Sequence, residues 1–145
     1  MPGKRSGNKG VPDGRIEGAD GAVVTKLSPW SMADTVARLS AVIAARGLEV
    51  YAVIDHSGKA RECGLDLRDT TLVFFGSPSA LTPLIDAAPL AALDLPLRVL
   101  VWEEGYQTLV SYPAPVAVAR RYGLDGELAS ALAVIDALTS AVINR

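Results

Sequence analysis

The chain has 145 residues, of which 50% are hydrophobic and 21% are charged, a composition that predicts one globular domain with its own core. It carries 14 basic and 16 acidic residues, for a net charge of -2, so no excess of positive charge is available to grip a nucleic-acid backbone. With one cysteine, Cys63, and one histidine, His56, it excludes an intrachain disulfide and a metal site rich in cysteine or histidine. We predict no metal and no cofactor.

The first 20 residues are rich in glycine and charge and lack the apolar stretch that a signal peptide requires. Because such a segment has little surface to bury, we predict a flexible leader at residues 1–20 and a single domain at residues 21–145. We find no uninterrupted apolar run of the roughly 18 to 20 residues that a membrane span needs. We therefore expect no membrane contact and a cytoplasmic location.

Residues 21–28 are rich in β-branched side chains and predict the first strand. A helix is predicted after Ser31, whose hydroxyl can cap it, and Gly47 is a natural stop. Its apolar positions recur at helical spacing and are Met32, Val36, Leu39 and Ile43. Residues 48–56 predict a second strand, followed by a turn and one or two helical turns.

Residues 70–76 form a nearly unbroken apolar run, typical of a central strand. A turn and a short helix follow, in which Pro83 is tolerated only in the first turn. Residues 95–113 predict a hairpin with a tight turn at Gly105, and two helices end the chain. The apolar stripe of the last helix consists of Leu128, Leu132, Ile135 and Leu138. This order of elements predicts an α+β fold with an antiparallel sheet and helices on one face.

The stretch FFGSPSALTPLI, residues 74–85, joins the apolar strand to the next helix. It lacks the Gly-Lys-Ser/Thr ending of a phosphate-binding loop. Ser77 can cap the helix, or Thr82 can cap a helix that begins at Pro83. We favour a capped strand-to-helix turn, and the functional alternative is a ligand bound at the helix start.

His56 stands between Asp55 and Ser57 at the end of a predicted strand. Adjacent strand residues point to opposite faces, so these three residues do not form a catalytic triad. We expect His56 to be hydrogen-bonded to a neighbour. No catalytic-cysteine motif surrounds Cys63, for which we expect a buried or half-buried inert thiol.

Asp94 lies among apolar residues in ALDLPL, where burial would raise its pKa or require a partner. Glu103 and Glu104 end the first arm of the predicted hairpin. A hydrolase with two catalytic carboxylates can be imagined, but nothing in the sequence fixes their separation. We favour a solvated rim of the hairpin turn for Glu103 and Glu104.

Four segments that cover essentially residues 22–124 share one resemblance, namely VTKLSPWSMADTVARL, VIDHSGKARECGLDLR, LVFFGSPSALTPLIDAAPLAALDLPLRVLVWEE and VSYPAPVAVARRYGL. In this order and spacing they resemble the domain of unknown function 302 family of small bacterial and archaeal proteins. The resemblance implies an α+β fold with a curved antiparallel sheet, and a homodimer. It supplies no catalytic residue.

The chain departs from this family in the stretch that the family typically reads as FGNPKAGTPLM. Here Ser77, Ser79 and Leu81 replace asparagine, lysine and glycine, and Trp30 stands where histidine is frequent. The departures remove a cation and a flexible glycine, which weakens a phosphate-binding role for the stretch. The positions that do match the pattern are His56, Thr82, Pro83, Asp94, Trp102, Glu103 and Tyr112.

Two functions remain open. The first is a dimeric, non-enzymatic binding module for a small ligand or a protein partner, with its pocket beside the turn at residues 77–82 and His56 at the polar edge. The alternative is an enzyme that uses His56 with Asp94 or Glu103 as acid and base. We favour the first, because the sequence has no nucleophile motif, metal cluster or cofactor fingerprint. The predicted ligand-binding residues are His56, Ser77, Thr82, Asp94 and Glu103.

Overall fold

The computed structural model describes residues 15–17 and 21–145 of the chain. The strands are β1 (Arg15–Glu17), β2 (Val23–Ser28), β3 (Glu49–Asp55), β4 (Thr70–Gly76), β5 (Leu97–Glu104) and β6 (Gln107–Pro113). The helices are α1 (Met32–Ala45), α2 (His56–Glu62), α3 (Pro78–Ala87), α4 (Pro115–Tyr122) and α5 (Gly126–Ile143), with one 3-10 helix (Pro89–Asp94) before β5. The strands form one antiparallel sheet in the order β1-β2-β6-β5-β4-β3.

One face of this sheet carries the core. Side chains alternate across a strand, so Val73 and Phe75 of β4 share a face with Val99 and Val101 of β5. All four are fully buried and belong to one cluster with apolar side chains of α1 and α5. The predicted α+β fold, with an antiparallel sheet and helices on one face, is confirmed.

The first turn of α1 is fixed against the end of β2. The Ser31 hydroxyl accepts a hydrogen bond from the Asp34 amide at 3.1 Å, which confirms the predicted cap. The Ser28 and Thr35 hydroxyls are hydrogen-bonded at 2.8 Å. Because Leu39 lies fully buried one turn further on, the helix is held at both its start and its apolar face.

The sheet begins earlier in the chain than the sequence predicts. β1 pairs with β2, with Arg15 opposite Lys26 and Glu17 opposite Val24, although these residues fall in the segment predicted as a leader. The other positions of that segment, 1–14 and 18–20, lie outside the described residues. A strand of three residues is too short to show the alternation from which strands are predicted.

The structure corrects the predicted start of α3. The helix begins at Pro78, and Pro83 lies in its interior rather than in its first turn. Proline there removes one backbone hydrogen bond of the helix. Leu81 and Leu84 of the same helix are buried in a second apolar cluster, against α4 and α5. This burial outweighs the lost hydrogen bond, and the sequence pattern alone does not show it.

α5 is the long apolar helix of the described part of the chain. By length and composition alone it would suffice to cross a membrane, contrary to the prediction from the lack of an uninterrupted apolar run. In this fold, however, Leu132, Ile135 and Leu138 are at most 2% exposed, as the predicted stripe requires. The Nε atom of Arg38 in α1 also donates to the Val142 carbonyl at 2.7 Å. α5 is therefore an integral helix of the core.

The opposite face of the sheet, which we call the outer face, is also largely apolar. Its side chains come from the central strands and belong to neither core cluster. They are Leu72, Phe74, Leu100, Trp102 and Leu109. At its centre the Trp102 indole donates a hydrogen bond to the Ser111 hydroxyl at 2.9 Å.

Candidate functional site

The predicted site residues are divided between the two ends of the sheet. The register of β3 and β5 on β4 puts His56 and Glu103 beside the first residues of β4. Ser77, Thr82 and Asp94 lie at the other end, where β4 finishes and β5 begins. The seven residues of β4 separate the two ends, a distance of about 20 Å at about 3.3 Å per residue. The prediction of one pocket that combines His56 with the turn at residues 77–82 is therefore wrong.

His56 is an exposed residue in the first turn of α2. The capping residue is Asp55, whose carboxylate accepts hydrogen bonds from the Gly58 amide at 2.9 Å and the Ser57 hydroxyl at 2.8 Å. These hydrogen bonds, that of Gly58 first, lower the pKa of Asp55. The imidazole has no hydrogen-bond partner in the described part of the chain, contrary to our prediction.

Asp94, at the end of the 3-10 helix, has the partners that its partial burial requires. The Tyr122 hydroxyl donates to its carboxylate, and Nη1 of Arg121 donates to the same oxygen at 2.7 Å. The Tyr122 hydrogen bond is the main cause that lowers the pKa of Asp94, burial opposes it, and Arg121 adds to it. The prediction of a partner is confirmed, whereas a raised pKa is not found.

Ser77 and Thr82 do not form the anion site considered above. Ser77 precedes α3, but its hydroxyl makes no capping hydrogen bond and lies 3.0 Å from the Ser79 hydroxyl. Thr82 is exposed inside the helix, so no free amides follow it. Whether the two residues contact a ligand stays a prediction.

Cys63 is exposed at the end of α2, so the prediction of a buried or half-buried thiol is wrong. Its Sγ atom donates to the Ala60 carbonyl at 3.3 Å. The exposure follows from the position of α2, which joins β3 to β4 at one side of the sheet and buries Ser57 alone of its residues.

A cavity of about 680 Å³ opens where the sheet meets the first turn of α1. We call it the end cavity; its walls are residues 27–33, Asp69, Glu103 and residues 106–108. Small-molecule sites in proteins span about 300 to 1,000 Å³. The end cavity therefore has the size of a ligand site, and of the five predicted site residues it includes Glu103.

Glu103 lies between Asp69 and Thr108 in the sheet. Its amide donates to the Asp69 carbonyl at 3.0 Å, and on the other side it pairs with Thr108 of β6. Residues opposite each other on antiparallel strands project to the same face, with Cβ atoms about 5 Å apart. This is the face covered by helices, because Val101, two residues before Glu103 on the same strand, is fully buried in the core. The three side chains therefore lie side by side in the wall of the end cavity.

The neighbouring Glu104 points the other way. It is exposed, as predicted, and its carboxylate lies 3.3 Å from the Arg68 guanidinium. Glu103, in contrast, is half-buried and forms no ion pair with a described residue. The two glutamates, predicted to share a solvated rim, thus have different surroundings.

Trp30 forms another part of the wall. The Arg38 guanidinium lies 4.3 Å from the centre of its ring, a favourable cation–π distance. Arg38 is itself held by the Val142 carbonyl at the end of α5. The indole Nε1 is buried and has no hydrogen-bond partner among the described residues. This side of the end cavity is therefore built on fixed helices.

Two further cavities differ in kind. One, of about 20 Å³, lies between Asp94, Arg98 and apolar core residues, and has room for about one water molecule. The other, of about 410 Å³, is a groove between α4 and α5 lined largely by small apolar residues. None of the three cavities, whose walls are all described residues, is lined by His56, Ser77 or Thr82.

Sequence reasoning missed Asp69 and Thr108. The pairing of Glu103 with Thr108 follows from a two-residue turn at Gly105, so the hairpin pattern carried that signal. The position of Asp69 depends on the register of β4 on β5, which no local pattern reveals. In the described part of the chain no three acidic, histidine or cysteine side chains are grouped as metal ligands would be.

The fold and cavity define a small α+β domain with a ligand-sized opening at the end of an antiparallel sheet. The chain belongs to the family described as "Domain of unknown function DUF302", which it matches over residues 24–144. The resemblance seen in the sequence is thereby confirmed.

Two curated relatives come from Brucella. The "Fluoride-specific ion channel FluC 1" of Brucella suis biovar 1 (strain 1330) is 36% identical over 113 residues, which cover 76% of this chain and 44% of that protein. The "Fluoride-specific ion channel FluC 2" of Brucella melitensis biotype 1 (strain ATCC 23456 / CCUG 17765 / NCTC 10094 / 16M) is also 36% identical over 113 residues, which cover 42% of its length. The chain thus spans less than half of the length of these relatives.

A solved structure has the same fold. The crystal structure of an uncharacterized conserved DUF302 protein from Bacillus stearothermophilus superposes with a TM-score of 0.71, covering 84% of this chain and 95% of that one. At 21% sequence identity the likeness shows the fold alone.

Proposed function

We propose that the chain is a non-enzymatic, cytoplasmic binding module that acts as a dimer and binds a small ligand in the end cavity. The observation that supports this proposal is the convergence of Asp69, Glu103 and Thr108 on a cavity of about 680 Å³. Convergent polar groups in a concave site of this size are typical of ligand binding. The enzyme alternative has less support, because His56 and Asp94 lie at opposite ends of the sheet and His56 is not in the cavity wall.

The names of the Brucella relatives raise fluoride as a ligand. Asp69 and Glu103 are the charged side chains in the wall of the end cavity, and both are acidic. Carboxylates repel an anion at close range. Fluoride is therefore not the ligand we propose for this cavity, and sodium fluoride serves as a negative control.

A cavity-filling variant tests the proposal. Ala33 is an exposed residue of α1 in the wall, so Ala33→Trp would place an indole in the cavity without disturbing the core. The matched control is Ala37→Trp, one helical turn further on, where the residue is exposed and outside the wall. The measurement is a thermal-shift screen of neutral, cationic and anionic metabolite-sized compounds on both variants and the wild type.

We expect compounds that stabilise the wild type to stabilise Ala37→Trp equally and to lose their effect on Ala33→Trp. Compounds that stabilise all three proteins equally would place binding elsewhere and refute the end cavity as the site. His56→Ala, added to the same screen, is expected to behave as the wild type.

The outer face supports the dimer. Four of its five apolar side chains are half-buried and Leu109 is 8% exposed, with no helix of the core clusters over them. A contiguous apolar sheet face of this kind is often covered by a second copy. Leu100→Glu places a charge at its centre, and Leu93→Glu, at a position 74% exposed, is the matched control. We expect sedimentation at micromolar concentration to give a dimer for the wild type and Leu93→Glu, and a folded monomer for Leu100→Glu. A monomeric wild type would refute the dimer.

A further inference from the structure

We infer that the ligand of the end cavity is a small organic cation, an amine or guanidinium compound that the carboxylates of Asp69 and Glu103 bind together. This inference rests on the proposed function, since it names the chemical class of the ligand for the same cavity. The inference is more specific than the proposed function, because the cavity could bind a ligand that is not a cation.

The two carboxylates have a geometry that suits one positive group. Asp69 immediately precedes β4 and continues its register opposite Glu103 of β5, whose amide donates to the Asp69 carbonyl at 3.0 Å. Their Cβ atoms are thus about 5 Å apart on the same face. Two neighbouring carboxylates repel each other, and an organic cation between them would offset the repulsion and donate hydrogen bonds to both. Both side chains therefore favour a donor-rich, positively charged ligand.

The described residues supply no such cation. Neither Asp69 nor Glu103 forms an ion pair with a described residue, and the wall of the end cavity contains no lysine or arginine. Arg68, which precedes Asp69, is paired with Glu104 outside the cavity. Within the described part of the chain, the charge of the pair is therefore left to solvent or to a ligand.

Thr108 is an independent indication of a ligand. It is 6% exposed, yet its hydroxyl forms no hydrogen bond with a described residue, and it lines the cavity next to Glu103. The hydroxyl oxygen is not one of the fully buried atoms that lack a partner, so it opens onto the cavity, where solvent or a ligand can bind it. A ligand N–H group beside the carboxylates would donate to this hydroxyl, which gives the site a third oxygen.

The first turn of α1 does not reverse this preference. A helix N-terminus attracts anions through its free amides and dipole. Here the Ser31 hydroxyl accepts from the Asp34 amide at 3.1 Å, and the Asp34 carboxylate adds a negative charge in the first turn. Both features satisfy or neutralise the positive end of the helix before a ligand arrives.

The size of the cavity favours an organic cation over a metal ion. Calcium takes about six to eight oxygen ligands at about 2.4 Å, whereas no three acidic, histidine or cysteine side chains of the described residues are grouped as metal ligands would be. A volume of about 680 Å³ also far exceeds one ion. Tyr106 at the rim is fully exposed, and its ring can cover an ammonium or guanidinium group.

Calorimetric titration of the full chain tests the inference, with agmatine and spermidine as cationic probes. Magnesium chloride, sodium fluoride, sodium phosphate and glucose are the metal, anionic and neutral probes. The variants are Glu103→Gln and Asp69→Asn, which keep shape and remove charge, and Glu104→Gln is the matched control beside Glu103.

We expect a cationic probe to bind the wild type and Glu104→Gln with the same Kd within about twofold, and Glu103→Gln and Asp69→Asn at least about tenfold more weakly. Thr108→Val is expected to weaken binding as well. Equal binding to Glu103→Gln and Glu104→Gln, or binding of magnesium in place of both amines, would overturn the inference.

The outcome separates the inference from the proposed function. If glucose or phosphate binds, Ala33→Trp abolishes that binding and no amine binds, the cavity is a ligand site and the cationic class is wrong. If an amine binds and neither Ala33→Trp nor Glu103→Gln affects it, both proposals fail. If none of the probes and none of the screened compounds binds, both fail as well.

Discussion

Lys26 of β2 donates a hydrogen bond to the Thr139 hydroxyl of α5 over 2.9 Å, although Lys26 is 2% exposed. Its ammonium group also donates to the Asp136 carbonyl and to the Ser140 hydroxyl, each at 3.0 Å. A charge is tolerated inside a protein only where hydrogen bonds replace the lost water. These three bonds meet that need and at the same time join the last helix to the sheet.

Lys26→Met is expected to destabilise the fold, because the aliphatic stem remains while the three hydrogen bonds are lost. Hydrogen bonds to a charged group contribute about 1.5 to 3 kcal/mol, and we expect a loss of this size in the free energy of unfolding. The measurement is urea denaturation followed by circular dichroism. Lys59→Met, at an exposed position of α2, is the control, and an equal loss in both variants would contradict the role of Lys26.

Leu39→Ala tests the packing of α1 on the sheet. Leu39 is 1% exposed in the main core cluster. Its truncation removes the free energy of burying the side chain and also creates a cavity. We expect a cost of about 2 to 5 kcal/mol in the free energy of unfolding. Leu93→Ala, at a position 74% exposed, should change stability by less than about 0.5 kcal/mol. Similar values for the two variants would show that the face of α1 is misassigned.

Gly76 and Leu81 are predicted to be coupled. A Cβ atom at Gly76 would lie 2.6 Å from Cδ1 of Leu81, a distance that real contacts do not reach. Gly76→Ala alone should therefore cost about 1 to 3 kcal/mol through overpacking. In the Leu81→Ala background the clash is gone, and the same change should cost at least about 0.5 kcal/mol less. A double-mutant cycle by chemical denaturation measures this difference, and additive costs would contradict the contact.

Asp94→Asn tests a contribution to stability that depends on pH. Chiefly through the Tyr122 hydrogen bond, the folded protein lowers the pKa of Asp94 below its ordinary value of 3.8, so the unfolded chain binds a proton more readily. The contribution is therefore present above pH 3.8 and is lost as the pH falls through the folded pKa.

We expect Asp94→Asn to be less stable than the wild type at about pH 7, with a difference that shrinks as the pH is lowered through the acidic range. Urea denaturation across this range measures it. Asp86→Asn, at an exposed position of α3, is the control. A deficit that stays constant down to acid pH would mean that the charge of Asp94 is not its cause.

Local sequence signals were sufficient to predict several helices and strands. The apolar spacing of Leu39 and Ile43 and the cap at Ser31 defined α1, because a helix brings residues three and four apart to one face. Gly105 marked the hairpin turn, since its positive φ of 62° is costly for other residues. The apolar run at residues 70–76 predicted an interior strand, because a strand that is covered on both sides needs few polar residues. From these elements the α+β class followed.

Features that depend on strand register and on distant packing could be seen only in the folded chain. The fold puts His56 and Asp94 at opposite ends of the sheet, and it brings Asp69 next to Glu103 from a position 34 residues earlier in the chain. Pro83 is tolerated inside α3, because the burial of Leu81 and Leu84 against other helices outweighs one missing backbone hydrogen bond. Strand register is set by the whole buried face rather than by neighbouring residues, and a shift of one position would exchange the two faces. The cavity that Glu103 shares with Asp69 and Thr108 is therefore a property of the folded sheet and not of any segment of the sequence.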